Sequence, residues 1–257
     1  MLGTAASGRE HSLSPGIAAM ITSMGDVINL LERPLYGLGQ VDRLLALAGG
    51  TARRWIEGYQ RGGKRYPPVI RHEPTGDEIA TWGEFVETRL LAQYRDAGVP
   101  LLRMRPAIDR LREELGTPYP LASARTWLGI QGRELVLGVQ EEIGLERQLA
   151  LVVVRTGQRM IEWSDPAEEF RRSVEWTSAD EEAQPRLVRP VTDLSQVVID
   201  PLRGFGEPVI TDRGVRTEVI AELVRSGDSP EMIGELYELE RSQVDAAVRY
   251  ELLRAAA

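Results

Sequence analysis

The punctuation of residues 208–250 limits what this chain can fold into more than any other feature. Pro208-Val209-Ile210 reads as a short extended segment, and three helical stretches follow it, each with its own start and stop signals. Thr217 to Ser226 carries Val219, Ile220, Leu223 and Val224 on its inward side and stops at Gly227. Ser229 caps the second helix, and Pro230 sits at its first position, where a missing N–H is no loss. Glu238-Leu239-Glu240 turns into the third helix. Its buried stripe is expected at Val244, Ala247, Val248 and Leu252, and its exposed start at Arg241, Ser242 and Gln243. Helices this short, joined this tightly, read as a helix-turn-helix.

A second module of the same kind lies near the other end. Val41, Leu44, Leu45 and Ala48 fall on one face of a helix that begins at Leu38 and ends at Gly49-Gly50. Thr51 is expected to cap the next helix, with Trp55, Ile56 and Tyr59 inward and Arg53, Arg54 and Glu57 outward. Gly62-Gly63-Lys64-Arg65 then makes a basic turn leading into extended Tyr66-Pro67-Pro68-Val69-Ile70, the pattern of a wing. Thr81 and Glu84 spell a capping box for a following helix that runs to Gly98. Another helix is expected after Pro100, with Leu101, Ile108, Leu111 and Leu115 buried and Gly116 at its end.

Between the modules the period changes. Trp127 to Val139 and Leu149 to Trp163, broken at Gln131-Gly132 and Thr156-Gly157, are expected as short strands and turns, with a short helix over Pro166 to Val174. The expected organisation is mainly α with a β-containing middle unit, an α+β chain. It has a disordered start over 1–20, a winged helix-turn-helix at 34–116, a β-rich unit and connector at 117–195, and a three-helix helix-turn-helix at 196–257.

Charge decides what such modules can bind. The chain has 31 basic and 39 acidic residues, a net charge of -8, so it lacks the broad cationic field of a protein that coats nucleic acid. DNA contact is therefore expected to be local. Arg53, Arg54, Arg61, Lys64, Arg65 and Arg71 face only Glu57 within Thr51 to Arg71, while Glu141, Glu142, Asp165, Glu168, Glu169, Asp180, Glu181 and Glu182 load the middle. Lys64 is the sole lysine; this arginine bias suits phosphate forks but is first a mark of GC-rich coding. Cysteine is absent and histidine limited to His11 and His72, which excludes disulfides and zinc fingers, and no metal or cofactor is expected. No apolar run reaches the roughly 20 residues of a membrane span, and Met1 to Ser14 lacks a secretory pattern, so a cytoplasmic location is expected.

Nothing in the chain assembles catalytic chemistry. His72 lies between Arg71 and Glu73 in a strand-to-loop stretch and reads as a surface residue. The pairs Glu141-Glu142 and Glu168-Glu169 are adjacent, so a helix points them apart. Gly62-Gly63-Lys64 lacks the flanking residues of a phosphate loop. Enzymatic activity is not expected.

The C-terminal residues Asp200-Pro201, Gly206-x-Pro208-Val209-Ile210, Gly227-x-Ser229-Pro230-Glu231, Tyr237 and Val244-x-Ala246-Ala247-x-x-Tyr250 resemble the helix-turn-helix domain of a VapB-type antitoxin family. Upstream, Arg33-Pro34-Leu35-Tyr36, Arg53-Arg54-Trp55, Tyr66-Pro67-Pro68-Val69-Ile70-Arg71, Thr81-Trp82-x-Glu84-Phe85-Val86-Glu87 and Tyr119-Pro120-Leu121 resemble actinobacterial members of that family. The first half is also similar to MerR-like winged helix-turn-helix proteins. One departure is Thr211-Asp212-Arg213-Gly214, where many relatives carry a Gly-Thr-Arg turn.

This resemblance, which covers Arg33 to Glu251, implies the antitoxin of a type II toxin–antitoxin pair that sequesters a PIN-like (VapC-type) ribonuclease toxin and represses its own operon. A stand-alone helix-turn-helix regulator without a toxin is the alternative. Operator contacts are expected from Thr51, Arg53 and Arg54 at the head of the recognition helix and from Arg61, Lys64 and Arg65 on the wing. Arg241, Ser242 and Gln243 add a weaker contact or stand beside a dimer interface. Two-fold operators need paired recognition helices, so a homodimer is expected. Toxin contacts are placed within Leu121 to Arg189, at Arg155, Arg159, Arg171 or Arg172.

Overall fold

Thr81 and Glu84 close the capping box that their spacing specifies. In the computed structural model, which describes residues 29–95, 100–128, 130–155, 160–180 and 182–256, the Glu84 N–H donates to Thr81 Oγ1 at 3.2 Å and the Thr81 N–H to Glu84 Oε2 at 2.9 Å. The helix they start, Trp82–Tyr94, is the axis of the larger core: Trp82, Phe85, Val86, Leu90, Leu91 and Tyr94 are fully buried. Gly83 lies against the Tyr119 ring, where a Cβ would come within 2.6 Å of ring carbons. Only glycine permits that approach.

In chain order the elements are β1 (Pro34–Gly37), α1 (Leu38–Leu44), α2 (Thr51–Ile56), β2 (Tyr59–Arg61), β3 (Lys64–Tyr66), β4 (Ile79–Thr81), α3 (Trp82–Tyr94), α4 (Arg105–Leu115), α5 (Ala124–Trp127) and α6 (Ile130–Ile143). There follow β5 (Val152–Arg155), β6 (Met160–Trp163), α7 (Asp165–Ser173), β7 (Val174–Trp176), β8 (Pro185–Val188), β9 (Val197–Val198), β10 (Val209–Ile210), α8 (Thr217–Ser226), α9 (Pro230–Tyr237) and α10 (Arg241–Ala256). The strands form two-stranded antiparallel pairs, β1 with β4, β2 with β3, β5 with β6, β7 with β8 and β9 with β10. The fold class is mainly helical α+β.

One apolar core runs from Leu30 to Ile199, and a second gathers Leu194, Val197 and Ile210 with α8, α9 and α10. The C-terminal signals act as their chemistry dictates. Gly227 ends α8 at φ 100°, and the Met232 N–H donates to the Ser229 hydroxyl at 3.2 Å with Pro230 following. The departing turn Thr211–Gly214 holds Asp212 and Gly214 in the left-handed region, closed by the Gly214 N–H on the Ile210 carbonyl at 2.9 Å.

Five expectations about the elements are corrected, and Tyr59 is the first: expected inward on the helix, it is 40% exposed on β2. Within Trp127 to Val139 the run from Ile130 onward is helical, not extended, and Trp127 ends α5: Leu135, Val136, Val139 and Ile143 recur at helical spacing and pack on the core, so periodicity outweighs β-branched content. Gly132 does not break this helix. It lets α6 cross α5, since a Cβ there would stand 2.6 Å from the Thr126 carbonyl oxygen. The first helix of the N-terminal module ends at Leu44 rather than Gly49, because Ala46 turns left-handed at φ 51° and sends Leu47 back into the core. Leu252 is 67% exposed, and Tyr250 takes the buried place.

The remaining correction concerns Thr51, which lies inside α2 and caps nothing. Gly50 holds the cap position at φ 77°, and the orphan N–H groups of Gly50 and Ala52 donate to the Asp42 carboxylate at 2.6 and 2.7 Å. The expected disordered stretch 1–20, the helix stop at Gly98, the turn at Thr156-Gly157, Glu181 and Arg159 lie outside the described residues.

Candidate nucleic-acid interface

Asp42 fixes the N-terminal module because it reaches from α1 across the turn to the start of α2. A buried carboxylate bonding two amides sets the angle between the helices more firmly than a local cap could. Burial raises the Asp42 pKa while those amide donors hold it down. The other end of α2 is tied as well: the Val69 and Ile70 N–H groups donate to the Trp55 carbonyl at 2.8 and 2.9 Å. Gly58, at φ 75°, passes so close to the Tyr66 carbonyl that a Cβ would stand 2.5 Å from it.

The wing is a tight hairpin. Arg61 pairs with Lys64 across Gly62-Gly63, whose φ values of 58° and 76° are what a two-residue primed turn demands. Tyr59 and Tyr66 stack across the strands with ring centroids 4.6 Å apart and planes 5° apart, and the Lys64 ammonium lies 5.3 Å from the Tyr66 ring centre. Arg61, Lys64 and Arg65 are exposed, and among the described residues none of the three meets a carboxylate.

The α2 residues divide by burial. Arg53 and Arg54 face solvent, Arg53 against the exposed Glu78 carboxylate and Arg54 donating to the Thr51 hydroxyl at 2.8 Å. Thr51 itself is buried, so it orients Arg54 rather than presenting a hydroxyl of its own. Two features escaped the sequence reading: the Glu78 partner, and Arg43, an exposed cation on α1 with no carboxylate among the described residues. Exposed position and charge on the crossing helix were the available signal for Arg43.

Arg71 belongs to the interior. Its guanidinium spans the Glu57 and Glu84 carboxylates, at 2.5 Å for Glu84, and also donates to the carbonyls of Asp77 and Ile79 at 3.0 Å. Glu57, expected to face outward, turns its side chain into this network and is largely covered with it. This network folds the loop 71–79 back beneath α2. His72 is 67% exposed beside Asp109 at 3.4 Å, a surface residue as expected.

The C-terminal module offers a different surface. Arg241 is held by Glu231 and by Asp245 at 3.1 Å, and Gln243 accepts from the Glu240 N–H at 2.9 Å. Ser242 alone of the three is exposed and uncommitted. In the middle unit, Arg171 and Arg172 both bond Glu168, at 2.8 and 3.0 Å. Arg155 lies at the end of β5.

The two modules are docked on one another. The Tyr36 hydroxyl donates to the Gly206 carbonyl at 2.8 Å, and the Tyr250 hydroxyl to the Leu44 carbonyl at 2.9 Å. Glu207 accepts from Gln40 at 2.9 Å and from Arg254 at 3.2 Å. Burial pushes both phenols above the ordinary tyrosine value. Among the described residues no helix is long and apolar enough to cross a membrane, and no group of His, Asp and Glu is arranged to hold a metal ion.

Comparison with known proteins places this arrangement. Residues 34–108 match a family described as "Putative DNA-binding HTH domain", and residues 197–250 match "Protein of unknown function (DUF433)". Over 227 residues the chain is 40% identical to the "Uncharacterized protein Rv2308" of Mycobacterium tuberculosis, covering 87% of this chain and 92% of that protein. The chain belongs to the Rv2308 family. A more distant relative, 28% identical over 84% of this chain and 92% of its own length, is the "Putative antitoxin VapB45" of the same organism. The crystal structure of Rv2018 from Mycobacterium tuberculosis superposes with a TM-score of 0.66 at 26% identity, over 84% of this chain and 97% of that one. The antitoxin resemblance read from sequence thus has a relative named "Putative antitoxin VapB45", and the family described as "Putative DNA-binding HTH domain" covers most of the N-terminal module.

Proposed function

We propose that the protein is the antitoxin of a type II pair. In this reading it binds operator DNA as a homodimer through the N-terminal module, represses its own operon and neutralises a PIN-like ribonuclease. The observation that carries the DNA part is the pairing of exposed Arg53 and Arg54 on α2 with a wing whose Arg61, Lys64 and Arg65 meet no carboxylate among the described residues. Arginine at the head of a recognition helix reads guanine edges, and cations on a wing hold phosphate. Thr51 contributes by orienting Arg54. We divide the chain at 34–116, 117–195 and 196–257, the first unit a MerR-like winged helix-turn-helix and the last an antitoxin-type one.

The toxin part is supported by the VapB45 name of one relative. PIN-like nucleases gather carboxylates, so an inhibitor gains by placing guanidinium groups among them. Of the candidates Arg155, Arg159, Arg171 and Arg172, the last two lie on α7 beside Glu168, and capture by a toxin would exchange Glu168 for the nuclease carboxylates. That same Glu168 pairing favours the second reading, a regulator with no toxin, because it leaves these arginines satisfied within the chain.

Co-expression with the neighbouring reading frame separates the two. A neighbour that arrests growth alone and is silent beside this chain supports the antitoxin; a harmless neighbour leaves the regulator. Retardation of DNA from upstream of the gene tests the operator part independently, and failure to prefer it over unrelated DNA would defeat self-repression.

A further inference from the structure

Large apolar side chains left exposed among the described residues concentrate in the C-terminal part: Leu202, Phe205, Met232, Leu236, Leu252 and Leu253, against Tyr59, Ile79 and Val154 elsewhere. Phe205 is the extreme case. It is 98% exposed, yet its backbone is left-handed at φ 58° and ψ 26°, between Gly204 at φ 57° and Gly206 at φ 77°. A bulky residue in that region is strained, and no packing among the described residues offsets the strain.

The loop is nevertheless locked. The Leu202 N–H donates to the buried Asp200 carboxylate at 2.8 Å, and the Gly206 and Glu207 N–H groups to the carbonyls of Arg203 and Gly204 at 2.9 and 3.0 Å. Tyr36 grips the Gly206 carbonyl from the other side. Gly206 cannot carry a side chain, since a Cβ would lie 2.5 Å from the Tyr36 hydroxyl. The structure therefore holds an aromatic outward at a fixed position, which is how an interface anchor behaves.

We infer that this tip, Leu202, Arg203 and Phe205, docks on the α9 face of a second copy of the chain. This rests on the homodimeric part of the function proposed above and names its surface. Charge complementarity selects the occupant. Arg203 is 72% exposed, and its nearest carboxylate is Asp200, at 3.7 Å and shared with Arg186. On α9, Met232 and Leu236 lie four residues apart on one exposed face. A shallow depression of about 400 Å³ beside α9 is lined by Glu231, Glu235, Glu238 and Glu240, with Arg241 as the one cation among its described lining residues.

Glu231 and Glu238 are already paired, with Arg241 and Arg213, but among the described residues Glu235 and Glu240 face no cation. An aromatic with a guanidinium beside it thus meets adaptable methionine and leucine with carboxylate beside them. Used reciprocally about a two-fold axis, the contact occurs twice and the assembly closes as a dimer.

Sedimentation velocity of the full chain over a concentration series tests this. The wild type should dimerise. Phe205→Gly should shift it to monomer while the melting temperature of the monomer stays level or rises, because glycine relieves the left-handed strain and no internal contact is lost. Arg203→Glu and Glu235→Arg should each weaken the dimer by about tenfold or more, and the two together should restore it.

A wild type monomeric at every concentration, a dimer indifferent to Phe205→Gly, or a charge pair that fails to restore would overturn the inference. So would a Phe205→Gly chain that stays dimeric and loses only DNA or a toxin, since the tip then serves that partner. Arg53→Ala with Arg54→Ala in the same series should lower the preference for operator DNA without changing mass. That result scores the DNA reading separately from the tip.

Discussion

The Tyr250 hydroxyl donates to the Leu44 carbonyl at 2.9 Å, and both groups are buried. Leu44 is the last residue of α1, where helix geometry leaves a carbonyl without an intrahelical partner. Helix α10 therefore completes the first helix of the N-terminal module. Tyr250→Phe removes the donor and keeps the ring. The expected loss is about 1–2 kcal/mol in urea unfolding, the net bond plus an orphaned carbonyl. An unchanged midpoint would show that the docking contributes nothing.

Arg71→Met should be among the most damaging single changes in the N-terminal half. It leaves Glu57 and Glu84, both nearly buried, without their shared cation. Removing one partner of such a network costs roughly 3–5 kcal/mol. Arg65→Met on the exposed wing should be close to neutral in the same denaturation assay, and equal losses for the two would refute the assignment of Arg71 to the interior.

Glu87 on α3 gives a pH dependence. It is fully buried; its Oε1 accepts from the Leu121 N–H at 2.9 Å, and its Oε2 has no hydrogen-bond partner among the described residues. Burial pushes its pKa up to about 8. The folded chain then holds a proton that the unfolded chain has released, so the stability linked to Glu87 is complete below the ordinary carboxylate range. It is lost as pH rises toward 8, with a slope of up to about 1.4 kcal/mol per pH unit. Glu87→Gln should flatten unfolding free energy between these limits, and an equally steep decline in the variant would assign it to other groups.

Much of this architecture is written in local spacing. Thr81 with Glu84, Ser229 with Pro230, and Gly62-Gly63 between two short strands each fix their own geometry, and the structure realises all three. Long-range relationships are not so written. Asp42 caps α2 from eight residues upstream of Gly50, and Thr51 looks like the cap only because it has the right chemistry in the adjacent place.

Arg71 belongs by sequence to a basic run and by structure to a buried network with Glu57 and Glu84. Gly132 reads as a break because its reason, the nearby Arg125 and Thr126 carbonyls, lies on another helix. For the site, the positions of Arg53, Arg54 and the wing cations follow from pattern alone. The division between exposed Arg54 and buried Thr51, and the pairing of Arg241 with Glu231 and Asp245, needed tertiary contacts.

Wing and recognition helix should separate in salt dependence. Lys64→Ala with Arg65→Ala removes phosphate contacts, so it should weaken binding to every sequence alike and lower the slope of log affinity against log salt by about 2. A slope unchanged by the double substitution would place the wing away from the backbone.

The central claim is that Arg53 and Arg54 read sequence. Affinity for upstream operator DNA and for a scrambled duplex, measured side by side at one fixed salt concentration, tests it most directly. The wild type should prefer the operator, and Arg53→Ala with Arg54→Ala should erase about 1–3 kcal/mol of that preference for each base-edge contact while leaving affinity for the scrambled duplex far less affected. Discrimination that survives the double substitution unchanged would contradict the account.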